Sequence, residues 1–379
     1  MSSRDHARSA RCIVIKVGSA ILAGASGVRG RVVSEIAAQV ATLREQGRRV
    51  VIVSSGAIAA GSRELGWDHT GRTIPEKQAA AAVGQIGLCE IYRRRFARYG
   101  YPVGQVLVTH MGLAERERFL NARHTLTELL DLGVVPIVNE NDTVATEEIR
   151  FGDNDNLSAA VVNLVGAQLL VILTDVDGLY EHPPEAGAPK PPVVAEVLQV
   201  DEQTRRRAGG SNGEFGRGGM ITKLEAAERA ARSGAATVLC NGRRKDAILR
   251  AAAGECIGTI IAPGTKLQSK KHWLAFTART CGRLELDDGA IRALREGGRS
   301  LLPAGVRTVS GNFGIGDPVS CADAGGTEIA RGLVAYSAAD IERIRGGKAR
   351  EIASVLGYSN GDEVIHRNDL VWLGNEGDG

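Results

Sequence analysis

Short apolar runs alternate with longer helix-length stretches along roughly the first two thirds of the chain. The runs at residues 12–17, 50–53, 103–109, 134–138, 168–174, 237–240 and 258–261 have strand length and read as buried strands. Between them, residues 32–46 close at Gly47, an Ala-rich stretch opened by Pro75 runs to 98, and 115–132 closes at Gly133. Residues 157–165 and 220–233 complete the helical set. Strands alternating with helices in this way predict an α/β fold, a mainly parallel open sheet sandwiched by helices. The pattern changes near Pro263: residues 266–278 read as a linker carrying Lys266, Lys270 and Lys271, and the strands beyond it are shorter. Turn signals at Asp287-Asp288-Gly289, Pro303-Ala304-Gly305 and Gly316-Asp317-Pro318 predict a small β-rich second domain. The expected division is a flexible leader at 1–11, the α/β domain at 12–265, the linker at 266–278 and the second domain at 279–379.

One polar stretch stands out against this pattern. Residues 139–156 hold six carboxylates, four asparagines and one cation, placed between the strand at 134–138 and the helix at 157–165. Charge clusters usually mark solvated surface. Here Asn139 and Asp142 sit at the C-terminal end of a strand, where open α/β sheets bind their ligands. Asp153 to Asn156 supply N-caps for the helix that follows. An EF-hand loop is excluded, because Leu157 and Ser158 fall where calcium ligands and the turn glycine belong.

Composition narrows the choice of function. At 379 residues the chain exceeds the size at which a single core keeps growing, so two domains are expected. Aromatics make up only 4%, which argues against a stacking surface for single-stranded nucleic acid. The net charge is +3, yet residues 279–379 hold 12 Lys/Arg against 15 Asp/Glu, a balance of −3. A domain of that sign is a poor binder of phosphate backbones. Six cysteines lie scattered without CxxC spacing and read as reduced thiols of a cytoplasmic protein. No apolar run reaches the roughly 18 residues of a membrane span. Arg4, Arg8 and Arg11 faintly suggest a transit peptide, but the segment is short and has no apolar region, so a disordered leader is expected.

The chain has no GxxxxGK[ST] motif and is not a P-loop protein. It carries instead two lysines in glycine-rich settings: Lys16-Val17-Gly18-Ser19 at a strand end, and Gly218-Gly219-Met220-Ile221-Thr222-Lys223 at a helix start. Ser55-Gly56 forms a third such turn. Phosphoryl transfer needs cations on the transferred group and the leaving diphosphate, with backbone N–H groups around them. The polar stretch offers more amides than general bases, which suits a carboxylate acceptor already ionised at neutral pH. An α-ammonium on that acceptor would account for the acidic residues. A sugar or nucleotide acceptor stays open on these residues alone.

Several segments together resemble the glutamate 5-kinase family of the amino-acid kinase superfamily. They are Lys16 to Ser19, Ser54-Ser55-Gly56-Ala57 through Gly61, Phe119 to Arg123, Asn139-Glu140-Asn141-Asp142, Phe151 to Asn156, Thr174-Asp175-Val176-Asp177-Gly178-Leu179-Tyr180 and Gly218 to Lys223. The region from about Arg279, with Ser300 to Val306 and Gly311-Asn312-Phe313, resembles a PUA domain. The resemblance implies ATP-dependent phosphorylation of the γ-carboxylate of L-glutamate, the first step of proline biosynthesis, with feedback inhibition by proline and a homo-oligomer. It implies that Lys16 and Lys223 stabilise the phosphoryl group and that Asp155 orients them. Ser55, Asp142 and Asn154 would hold glutamate, with Asn139 nearby. Thr174 and Asp175 would line the ATP site, with Gly218, Gly219 and Met220 beside Lys16 and Lys223. Mg2+ would be held mostly by nucleotide oxygens and water, so no protein ligand is assigned to it. Arg217 departs from the family, which usually has Thr there, and is expected to face solvent. RNA binding by the PUA-like domain is the rival reading, disfavoured by its charge and its few aromatics.

Overall fold

The computed structural model describes the chain except residues 1, 25–26, 110–111, 114–115, 145–153, 186, 210–218, 265–279, 298 and 374–379. The expectations for Asp153, Arg217, Gly218 and the linker therefore lie outside the described residues. The chain divides into two compact units, Met1–Thr265 and Lys266–Gly379.

The first unit begins with a correction. Residues read as a flexible leader form helix α1 (Ser3–Ser9), because Ser2 and Asp5 build a capping box and Ala7 is buried. Its arginines are anchors. Arg4 donates to Ala195 O at 3.2 Å and Arg8 Nε donates to Ala253 O at 3.3 Å. A cationic segment with small residues on one face can be disordered or docked, and only distant carbonyls decide which.

Strand β1 (Cys12–Val17) leads into the short α2 (Ser19–Leu22) and the hairpin β2 (Ala23–Gly24) and β3 (Gly27–Val28). Then come α3 (Gly30–Glu45), β4 (Arg49–Ser54), α4 (Ala57–Glu64) and α5 (Ile74–Phe96). Thr73 and Glu76 form a capping box at the start of α5, with Pro75 in its first turn, where a missing N–H does no harm. After β5 (Val103–Val108) follow α6 (Arg116–Asp131), β6 (Val135–Glu140), α7 (Asn154–Val165) and β7 (Leu169–Thr174). The unit continues with β8 (Glu196–Val197), α8 (Glu202–Arg207), α9 (Met220–Arg232), β9 (Ala236–Asn241), α10 (Ala247–Ala252) and β10 (Gly258–Ile261).

Eight of these strands form one sheet, ordered β5-β6-β4-β1-β7-β9-β10-β8. All neighbours pair in parallel except β10, which runs antiparallel to β9. The central strands are buried along their length, as expected of strands covered on both faces. One face packs α3, α5 and α10 through residues such as Val40, Leu88, Tyr92 and Ile248. The other packs α6, α7 and α9 through Leu126, Val161, Leu164 and Leu224. Parallel order brings the C-terminal ends of β1, β4, β6, β7 and β9 to one edge of the sheet. Lys16, Ser54, Asn139, Thr174 and Asn241 all lie there.

The second unit is a five-stranded sheet of β11 (Gly282–Leu286), β12 (Val306–Gly311), β13 (Pro318–Ala322), β14 (Glu328–Leu333) and β15 (Leu370–Trp372), ordered β12-β11-β13-β14-β15. Three of its four strand pairs are antiparallel, and β11 pairs β13 in parallel. The expected turn at Asp287-Asp288-Gly289 opens a helix instead, α11 (Asp288–Gly297): Asp287 Oδ1 accepts from Ala290 N at 2.7 Å and so caps it. The unit also holds α12 (Ala338–Ile344) and α13 (Ile352–Leu356), and its core gathers Leu284, Phe313, Tyr336 and Ile341.

Candidate active site

The site forms at the C-terminal edge of the sheet, where β1, β4, β6 and β7 meet the first turns of α7 and α9. Lys16 is the fifth residue of the central strand β1 and is 6% exposed. Lys223 lies in the first turn of α9 and is 8% exposed. Both ammoniums converge on Asp155, in the first turn of α7. Lys16 Nζ lies 2.7 Å from Asp155 Oδ1, and Lys223 Nζ lies 3.1 Å from Oδ2. Thr222 Oγ1 donates to the same Oδ2 at 2.8 Å. Burial pushes the Asp155 carboxyl up, but Lys16 and Lys223 outweigh it, and its pKa ends below the ordinary value. A buried anion between two cations suits a site that must receive more negative charge. Each lysine is tied to one oxygen of the same carboxylate, so both ammoniums are kept beside Asp155.

Beside this clamp runs a chain of amides. Asn154, first residue of α7, donates from Nδ2 to Ser55 Oγ at 2.8 Å and to Asn139 Oδ1 at 3.0 Å. Asn139, in β6 and 2% exposed, donates in turn to Gln85 Oε1 at 2.9 Å. Ser55 follows the buried Ser54, whose hydroxyl is 3.1 Å from Tyr92 OH. Gly56 then takes φ 109° to turn the chain from β4 into α4, a left-handed conformation that a side chain would strain. Asp142 occupies the turn 141–144 after β6 and is half-buried.

The remaining predicted residues line the neighbouring stretch of the same edge. Thr174 ends β7, its hydroxyl 3.3 Å from Asp175 Oδ1. Gly219 caps α9 and is exposed, and Met220 opens that helix half-buried. Gly18 lies beside the Lys16 ammonium: a Cβ built there would be 3.5 Å from Lys16 Nζ and 3.4 Å from Leu173 O, ordinary contact distances. The loop after Thr174 is pinned by Asp177, whose carboxylate takes Asn241 Nδ2 at 3.2 Å and Arg244 at 3.1 Å. Among the described residues, no three His, Cys, Asp or Glu side chains converge as a metal site.

Four participants were not singled out in the sequence: Gln85, Thr222, Asn241 and Arg244. Gln85 had a signal. It shares the buried stripe of α5 with Ala81, Leu88, Tyr92 and Phe96, and a polar residue at a core position needs a partner. Thr222 lies within the quoted glycine-rich segment and Asn241 and Arg244 follow the strand read at 237–240, but nothing local reports their partners.

The profile described as the Amino acid kinase family matches residues 11–241, and that described as the PUA domain matches 282–356. The chain is 51% identical over 363 residues to a glutamate 5-kinase of Geobacter sulfurreducens, covering 95% of this chain and 97% of that relative. It is 50% identical over 372 residues to one from Nitrosococcus oceani, covering 98% and 99%. A glutamate 5-kinase of Azoarcus sp. strain BH72 is 50% identical over 370 residues, covering 97% and 99%.

Proposed function

Because the chain belongs to the amino acid kinase family, and within it to the glutamate 5-kinases, we propose that it transfers the γ-phosphoryl group of ATP to the γ-carboxylate of L-glutamate. The product is L-glutamyl 5-phosphate, and the step opens proline biosynthesis. The observation that carries this is the clamp, in which one buried carboxylate holds Lys16 and Lys223 side by side at the edge of the sheet. Charge spreads over the equatorial oxygens in phosphoryl transfer and builds on the leaving diphosphate. Two pre-placed ammoniums in a water-poor site stabilise that charge without reorganising. Asp155 keeps them in place before the nucleotide arrives.

The acceptor needs no general base, since a carboxylate is ionised at neutral pH. Orientation is then the remaining task. Ser55, Asn139, Asn154 and Asp142 are assigned to it, and the hydrogen-bonded amides supply a rigid wall. Thr174, Asp175, Gly218, Gly219 and Met220 are assigned to ATP with the two lysines. Gly219 at the N-terminus of α9 suits a phosphate, because the backbone N–H groups of a helix start attract anions. Magnesium would neutralise charge on the nucleotide phosphates, and no protein ligand is assigned to it. Inhibition by proline, a homo-oligomeric state and a cytoplasmic location belong to the same proposal. No helix among the described residues is long and apolar enough to cross a membrane.

The test is direct. Incubation with ATP, magnesium and L-glutamate in the presence of hydroxylamine should yield a hydroxamate from the acyl phosphate. No hydroxamate with L-glutamate, but one with another amino-acid carboxylate, would reassign the acceptor.

A further inference from the structure

A primary amide is polar end to end: its nitrogen donates twice and its oxygen accepts twice. In a chain of buried amides, fixing the orientation of one therefore fixes the next. Gln85 is 7% exposed, and its two ends have different partners. Its Nε2 donates to Cys89 Sγ at 3.3 Å, one turn along α5. Its Oε1 faces Asn139 and accepts from Nδ2 at 2.9 Å. Asn139 is thereby obliged to turn its own oxygen toward Asn154, from which it accepts at 3.0 Å. The same Asn154 nitrogen also donates to Ser55 Oγ at 2.8 Å and lies 3.4 Å from Ser54 O. The donor end of Asn154 is thus committed to protein. The end left for a ligand is its carbonyl oxygen, which attracts an ammonium and repels a carboxylate.

Granted L-glutamate as the acceptor, we infer that Gln85 is a positioning residue that selects for an acceptor bearing an α-ammonium group, by holding Asn139 and hence Asn154 with the carbonyl oxygen of Asn154 toward the ligand. Gln85 does not itself reach the ligand. It is well placed to hold a direction, because the residue before it, Gly84, packs so closely on α4 that an added Cβ would lie 2.0 Å from Ala57 O. The helix that carries Gln85 is therefore in backbone contact with α4, which follows directly on the segment that carries Ser55.

The variant Gln85→Leu keeps a similar volume and removes both polar ends, so the Asn139 amide loses the acceptor that orients it. The measurement compares KM for L-glutamate with the inhibition constant of glutarate, which has both carboxylates and no ammonium, and follows KM for ATP and the melting temperature alongside. Losing one oriented hydrogen bond should raise KM for L-glutamate about tenfold while glutarate inhibition and KM for ATP change by less than about twofold. Gln85→Glu keeps an accepting oxygen toward Asn139 and should restore KM for L-glutamate to within about threefold of the wild type, whether or not the Leu variant folds. An unchanged KM in Gln85→Leu, an equal rise in KM and in the glutarate constant, or a Gln85→Glu enzyme that folds yet binds L-glutamate as poorly as the Leu variant is expected to, would each overturn the role. A wild-type enzyme that forms no hydroxamate from L-glutamate defeats the acceptor reading itself, before any variant is compared.

Discussion

Lys16 Nζ lies 2.7 Å from Asp155 Oδ1, with both side chains buried. A salt bridge so placed is costly to form and is weak evidence of stability in its own right. Its value is geometric, since it keeps an ammonium aimed along the sheet edge. Lys16→Ala and Lys223→Ala should each lower kcat by about 100-fold or more, the scale seen when one pre-organised charge-stabilising donor is removed. Steady-state assays with circular dichroism as the folding control check this. Turnover within a few-fold of wild type in either variant removes that lysine from the transition state.

The carboxylate should behave differently from the lysines. Asp155→Asn leaves two ammoniums without their anion, and breaking a buried pair from one side costs about 3–5 kcal/mol. Urea unfolding at pH 7 should show that loss along with the loss of activity. The pH dependence has a definite sign. The folded pKa of Asp155 lies below its ordinary value, so the clamp's contribution is present above that ordinary value and is lost as pH falls through the folded one. Wild-type stability should therefore carry an acid-side loss below about pH 4 that Asp155→Asn lacks. Identical acid limbs in the two proteins would show that the carboxylate is not held by its lysines.

Much of this arrangement was legible in the sequence, because local signals carry it. Strand and helix alternation located the parallel sheet, and Lys16, Asn139, Thr174 and Lys223 were placed at strand or helix ends where the structure has them. What was not legible depends on partners far along the chain. The ordering of α1 rests on carbonyls at 195 and 253, and the two-residue strand β8 exists only because β10 pairs with it. Asp287-Asp288-Gly289 has the composition of a turn and also that of a helix cap, and the capping bond to Ala290 decided it. Gln85 occupies a core position of an Ala-rich helix, and its partner Asn139 lies 54 residues along the chain, beyond any local signal.

Asp142 should separate binding from chemistry. It sits in the turn after β6, whereas Asp155 and the lysines sit on α7, β1 and α9. Asp142→Ala is expected to raise KM for L-glutamate by about tenfold or more with kcat lowered far less, the signature of lost uniform binding. An unchanged KM takes Asp142 out of the acceptor site.

The cysteines differ in burial, with Cys89 intermediate between the buried and the exposed ones. Cys240 and Cys321 are buried, and burial pushes each thiol up to about 12, while Cys12 rises to about 11 for the same reason. Thiolate, the reactive form, is then scarce at neutral pH. Cys256 and Cys281 are exposed. Brief alkylation of the native protein at pH 7.5, read by peptide mass spectrometry, should modify Cys256 and Cys281 first. Early adducts on Cys240 or Cys321 would mean that their cores open far more readily than their packing implies.

The crossing of α4 and α5 offers the sharpest structural test. At Gly61 an added Cβ would lie 1.7 Å from Ala80 O, and at Gly84 one would lie 2.0 Å from Ala57 O and 2.2 Å from Gly61 N. These are backbone atoms, so no side-chain rotation relieves the clash, and one helix must move. Gly84→Ala should destabilise the protein by about 1–3 kcal/mol or more, as overpacking does. Because Gln85 and Ser55 ride on the two sides of this contact, the displacement should also reach the amide chain and raise KM for L-glutamate while leaving KM for ATP nearly unchanged. Urea unfolding and steady-state kinetics on the same preparation check both halves. A Gly84→Ala enzyme with native stability would mean that the two helices are not in backbone contact, and the rigid wall assigned to the acceptor site would lose its support.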